Sequence, residues 1–124
     1  MKSLSSVSFL RLATIVFHLI SLAQVTEANG SDSDPNKKMF CVPTNQASDA
    51  DLLKALDWAC SQGIDCSPIQ PGAICGNPPT IRSRASFAMN SYYRSKGGLP
   101  GACDFSGTAT LITEDPSYGN CKYV

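Results

Sequence analysis

The chain holds one histidine, one tryptophan and no surplus of charge of either sign, with ten Lys/Arg against ten Asp/Glu in 124 residues. Each shortage excludes something. The lone imidazole, His18, falls in the N-terminal apolar run, so a mature chain that has shed this run carries no Ser/His/Asp or Cys/His machinery. Without a basic surplus there is little to neutralise a phosphate backbone, and nucleic acid is not an expected partner. Long apolar runs are also scarce. The longest, Leu12 to Ala23, is broken by Thr14, His18 and Ser21 and falls short of the roughly 20 residues that span a bilayer.

That run, preceded by Lys2 and Arg11, reads as a signal peptide over residues 1–28. Two small-x-small sites compete for cleavage, after Ala23 and after Ala28, and the second is preferred. The C-terminal residues up to Val124 form no hydrophobic tail of the kind a lipid-anchor signal needs, so no membrane anchor is expected. Residues 29–38, NGSDSDPNKK, are polar and rich in Ser, Asp and Pro, as a disordered lead-in is. They include the formal glycosylation sequon Asn29-Gly30-Ser31. The predicted domain spans residues 39–124 and is expected to be a secreted, extracellular monomer.

Cysteine is the residue the chain has in excess. Cys41, Cys60, Cys66, Cys75, Cys103 and Cys121 all follow the signal segment, and an even count in a short exported chain reads as a disulfide framework. The spacings match no common zinc pattern, and no metal or cofactor is expected. Six cysteines allow fifteen pairings, which spacing alone does not resolve. A mature chain of about 96 residues buries too little apolar surface to dispense with such staples.

The periodicity predicts an α+β domain with two main helices and a short C-terminal β-hairpin. Ser48 can cap a helix whose first turn holds Asp49 and Asp51, and Leu52, Leu53, Leu56, Ala59 and Cys60 form its apolar stripe until Gly63 ends it. Trp58 lies nearly opposite this stripe, so the helix is either covered on two sides or presents an indole to solvent, and the first is the expectation for a compact disulfide-rich domain. Thr80 caps a second helix opening at Ile81, with Ile81, Ala85, Ala88, Met89 and Tyr92 on one face and Gly97, Gly98 and Pro100 as the stop. Tyr92 is thereby assigned to the core and Tyr93, on the flank, to the surface. Thr108 to Thr113 reads as a strand, the turn-rich Asp115 to Asn120 as a reversal, and Cys121-Lys122-Tyr123 as its antiparallel partner.

No paired catalytic groups emerge. Asp49, Asp51 and Asp57 read as a solvated helix face, while Asp104, Glu114 and Asp115 lie in or near loops, so the chain is not expected to be an enzyme. What it does offer is rings, eight of them after residue 28: Phe40, Trp58, Phe87, Tyr92, Tyr93, Phe105, Tyr118 and Tyr123. Aromatic planes stack on the apolar C–H faces of sugars, although a small core also needs aromatics.

Three groups of motifs carry a resemblance. Cys41-Val42-Pro43, Ala55-Leu56-Asp57-Trp58-Ala59-Cys60 and Asp65-Cys66-Ser67-Pro68-Ile69-Gln70-Pro71-Gly72 form the first. Arg82-Ser83-Arg84-Ala85-Ser86-Phe87-Ala88-Met89-Asn90-Ser91-Tyr92-Tyr93 is the second. Cys103-Asp104-Phe105-Ser106-Gly107-Thr108-Ala109 and Asp115-Pro116-Ser117-Tyr118-Gly119-Asn120-Cys121 complete the set. From Phe40 to Tyr123 the chain resembles the plant X-eight domain, carbohydrate-binding module family 43. The resemblance implies non-catalytic binding of β-1,3-glucan such as callose in the plant cell wall. Because family members also occur as appendages of glucan endo-1,3-β-glucosidases, a separate glucanase is a further candidate partner. It also implies the pairing Cys41–Cys103, Cys60–Cys66 and Cys75–Cys121.

Phe40 stands where the family usually has Trp, Gly76 where an aromatic is common, and Arg84 where a histidine is common. These departures motivate a second reading, a wall or pollen-coat protein that keeps the scaffold and binds protein partners. For glucan, the expected contacts are stacking by Tyr93, Tyr118 and Phe40, with hydrogen bonds from Asn90 and Arg82.

Overall fold

Ser48 and Thr80 start the two main helices as their capping chemistry predicts. Ser48 Oγ accepts the Asp51 N–H at 3.2 Å and opens α1, Asp49–Cys60; Thr80 Oγ1 accepts the Ser83 N–H at 3.1 Å and opens α2, Ile81–Ser95. The computed structural model describes residues 36–124. The signal segment 1–28 with both cleavage positions, the sequon at Asn29 and most of the lead-in lie outside the described residues.

The first strand is β1, Phe40–Pro43, and the second is β2, Ala109–Ile112; they pair antiparallel with Phe40 opposite Ile112 and Pro43 opposite Ala109. Short 3-10 turns occupy Ser67–Ile69, Pro100–Cys103 and Phe105–Gly107. The α+β class, the two main helices and a two-stranded antiparallel sheet are all present. The partner of β2 differs from the expected hairpin. It is β1, some 70 residues earlier, and the C-terminal segment forms only an isolated bridge between Tyr118 and Cys121. The physical reason lies in the disulfide from Cys41, within β1, to Cys103, just before β2. This link sets the two segments side by side, and the Thr44 N–H to Thr108 carbonyl bond of 2.9 Å extends the ladder. The C-terminal donors go elsewhere: Tyr123 N–H bonds Ser117 Oγ at 3.0 Å.

Helix α2 packs against both α1 and β1, and so has apolar contacts over a wide arc. Its buried residues are Ala85, Phe87, Ala88, Met89, Asn90 and Tyr93, joined in the core by Leu52, Ala55, Leu56 and Ala59 of α1 and by Phe40 of β1. The disulfides pair Cys41 with Cys103, Cys60 with Cys66 and Cys75 with Cys121, the connectivity the family resemblance implies. The first spans 62 residues of sequence and the third 46, so these two close long loops, while the second closes the turn after α1 over only six. No described helix is long and apolar enough to cross a membrane.

Candidate functional site

Beside its buried stripe, α1 presents a second face on which only Ala55 also belongs to the core. Asp51, Lys54, Ala55 and Trp58, at helical spacings of three and four, line a cleft of about 580 Å³, with Tyr92 of α2 and the 101–108 loop as its other walls. Trp58 is 46% exposed, which corrects the expectation that both sides of this helix are covered. The indole lies opposite the Leu52–Ala59 stripe, as the helical period requires, but what faces it is a partly open cleft and two further rings.

The 101–108 loop contributes Gly101, Ala102, Asp104, Phe105, Ser106 and Thr108. Cys103 anchors it to β1 through its disulfide. Beyond this anchor the backbone turns left-handed at three successive residues, with φ of 47° at Phe105, 55° at Ser106 and 79° at Gly107. Only glycine adopts this conformation freely, and a side chain there costs on the order of 1 kcal/mol or more. The loop carbonyls are held in compensation. Gly107 N–H donates to the Asp104 carbonyl at 2.9 Å, while Thr108 donates both its N–H, at 3.2 Å, and its hydroxyl, at 2.7 Å, to the Phe105 carbonyl.

The outcome is three rings in mutual edge contact. Trp58 and Tyr92 centroids are 4.8 Å apart at 67°, Trp58 and Phe105 5.8 Å at 84°, and Tyr92 and Phe105 5.6 Å at 76°. Such T-shaped pairs match the ring quadrupoles and hold each ring in place. Lys96 Nζ sits 5.6 Å from the Tyr92 ring centre, and the exposed Asp51, Lys54, Asp104 and Ser106 surround the cluster with donors and acceptors. A cleft of this make-up suits a molecule with apolar faces and hydroxyl edges. Among the described residues, no group of His, Cys, Asp and Glu could hold a metal ion.

The five residues expected at the site are placed elsewhere. Tyr93 and Phe40 are each 3% exposed, too deep to stack on a ligand, which corrects the surface assignment of Tyr93. Their rings share the Arg94 guanidinium, 5.4 Å from Tyr93 and 5.7 Å from Phe40, and Arg94 Nη2 donates to the Met39 carbonyl. Tyr93 is buried because α2 is covered by β1 on the very flank that a single-helix reading leaves to solvent. Asn90 is also interior. Its Oδ1 accepts the Cys41 N–H and its Nδ2 donates to the Val124 carbonyl, both at 3.0 Å. Arg82 clamps the β1–α1 connection, donating from Nη1 to the Thr44 carbonyl at 2.9 Å and from Nη2 to the Ala47 carbonyl at 2.8 Å.

Tyr118 is exposed, with its hydroxyl 3.4 Å from the Cys75 carbonyl, but it does not line the cleft. The structure therefore joins Phe40, Tyr93 and Asn90 as core and β1 anchors, apart from the cleft lining. Gly76 too has a structural cause: a Cβ there would lie 2.3 Å from the Gln70 carbonyl oxygen, so this turn has no room for the aromatic common at that position.

Comparison with known proteins places the chain. The X8 domain model matches residues 39–110. The chain is 51% identical over 90 residues to Major pollen allergen Ole e 10 of Olea europaea, covering 72% of each. It is 38% identical over 122 residues to Plasmodesmata callose-binding protein 5 of Arabidopsis thaliana, covering 98% of this chain and 68% of that protein. Glucan endo-1,3-beta-glucosidase 7 of Arabidopsis thaliana is 42% identical over 103 residues, 80% of this chain but 20% of the relative, so the chain spans about a fifth of that protein. With more than half its residues matched by the family model and these relatives alongside, the chain belongs to the X8 domain family.

Proposed function

We propose that the chain is a secreted, non-catalytic module of the plant cell wall that binds β-1,3-glucan such as callose. The observation that carries this reading is the cleft in which Trp58, Tyr92 and Phe105 meet, flanked by Asp51, Lys54 and Asp104. Rings stack on the C–H faces of glucosyl units, and the flanking carboxylates and ammonium bond their hydroxyls. Relatives named as callose-binding and as endo-1,3-beta-glucosidases support the ligand class. Residues 1–28 direct export, residues 29–38 form a lead-in, and a separate glucanase is the enzyme this module accompanies.

The protein-partner reading rests on departures at Phe40, Gly76 and Arg84, and none of these lines the cleft. Sedimentation of the mature chain with insoluble curdlan, with cellulose and xylan as controls, tests the glucan reading. Enrichment on curdlan is expected, and recovery no greater than on the controls sinks it. Incubation with laminarin should release no new reducing ends, and release abolished by Asp51→Asn or Asp104→Asn would make the chain an enzyme.

A further inference from the structure

The three cleft rings share no plane. Every pair is inclined by 67° to 84°, so together they make a corner and not a flat platform. A sugar lying flat on one of these rings meets the other two at their edges or across a steep angle. For two neighbouring sugars each to lie against a ring, the second must be turned out of the plane of the first. A β-1,4-linked glucan is a ribbon whose successive rings stay near one plane. A β-1,3-linked chain turns each ring about the chain axis relative to the last, which is the relation this corner requires.

Within the corner the rings are not equivalent. Trp58 and Tyr92 project from α1 and α2, and Phe105 comes from the left-handed loop. Phe105 is also the ring nearest to perpendicular to both others, at 84° and 76°. Its backbone is over-determined by the Cys41–Cys103 disulfide on one side and by the two Thr108 bonds to its own carbonyl on the other. Strain held in this way fixes a side chain where free backbone preference would not leave it.

We infer that Phe105 is the linkage-specificity residue of the cleft: Trp58 supplies affinity for any stacked glucosyl unit, and Phe105 admits the following unit only when it is turned. This rests on the glucan-binding reading, and the experiment separates the two. Calorimetric titration of the mature chain with laminarihexaose and with cellohexaose should show at least about tenfold preference for the first, as differential recognition requires. Phe105→Ala should bring that ratio to within about threefold, mainly by weakening laminarihexaose, whereas Trp58→Ala should weaken both ligands and keep the ratio. Phe105→Tyr, which retains the ring, should keep the preference. If Phe105→Ala loses its dispersed amide spectrum, Phe105→Leu, which keeps bulk but has no planar face, takes its place.

An unchanged ratio in the ring-less variant overturns the assignment, as does equal affinity of the parent chain for the two hexaoses. Binding of neither hexaose by the parent chain contradicts the glucan reading itself, and the assignment with it.

Discussion

Trp58 and Tyr92 meet edge to face with ring centroids 4.8 Å apart, one ring on each main helix. This contact joins the fold to the site, because the packing of α1 on α2 is what brings the rings together. Trp58 is nevertheless nearly half exposed, so its loss should cost the fold little, about 1 kcal/mol for its ring contacts. Trp58→Ala is therefore expected to weaken β-1,3-glucan binding about tenfold, a 1.4 kcal/mol effect. Calorimetry on laminarin alongside thermal denaturation checks both halves.

Tyr93 and Asn90 should behave in the opposite way. Tyr93→Ala empties a core position and is expected to cost about 3–5 kcal/mol. Asn90→Ala leaves the buried Cys41 N–H without its acceptor and is expected to cost about 2 kcal/mol. Denaturant unfolding measures each, and whatever protein remains folded should bind glucan as the parent does. A stable Tyr93→Ala protein with weakened binding would restore Tyr93 to the site.

The disulfides should rank by the loops they close. On chain-entropy grounds the Cys41–Cys103 bridge, across 62 residues, contributes about 4 kcal/mol, and Cys60–Cys66, across six, about 2 kcal/mol. Paired Cys→Ala replacements followed by denaturant unfolding test the order. Only the first pair should also weaken glucan binding, because Cys103 anchors the loop that carries Phe105.

Alkaline pH should destabilise the domain through Tyr123. Burial raises its phenol above the ordinary value near 10, opposed in part by the hydrogen bond to Ser86 Oγ. The neutral phenol is favoured in the folded state, so this contribution is complete below the unfolded value and is lost as pH rises through the folded one. Tyr123→Phe should flatten the fall in stability above about pH 10. An unchanged alkaline profile would show that Tyr123 is not its source.

Both helices could be read from local chemistry, since Ser48 and Thr80 cap them and apolar residues recur at helical spacing. What could not be read was set by partners distant in sequence. Tyr92 and Tyr93 lie 100° apart on one helix, and which of them is buried depends on β1, fifty residues upstream. The four residues of β1 are too few to show alternation, so the partner of β2 could not be inferred from pattern. Phe105 gave no periodic signal because it lies in a loop, and its positive φ follows no residue preference. The signals that could have found the cleft were present: Trp58 opposite its helix's apolar stripe, and the Cys103–Ala109 motif that contains Phe105.

On the proposed function, β-1,3-glucan sits in the cleft where Trp58, Tyr92 and Phe105 meet. The most direct measurement is a titration of the mature chain with laminarihexaose followed residue by residue by NMR. Saturable shifts are expected at the Trp58 indole N–H, at Tyr92 and along residues 101–108, with Tyr118 and its turn unmoved. Shifts centred on Tyr118, or none at millimolar ligand, would contradict it.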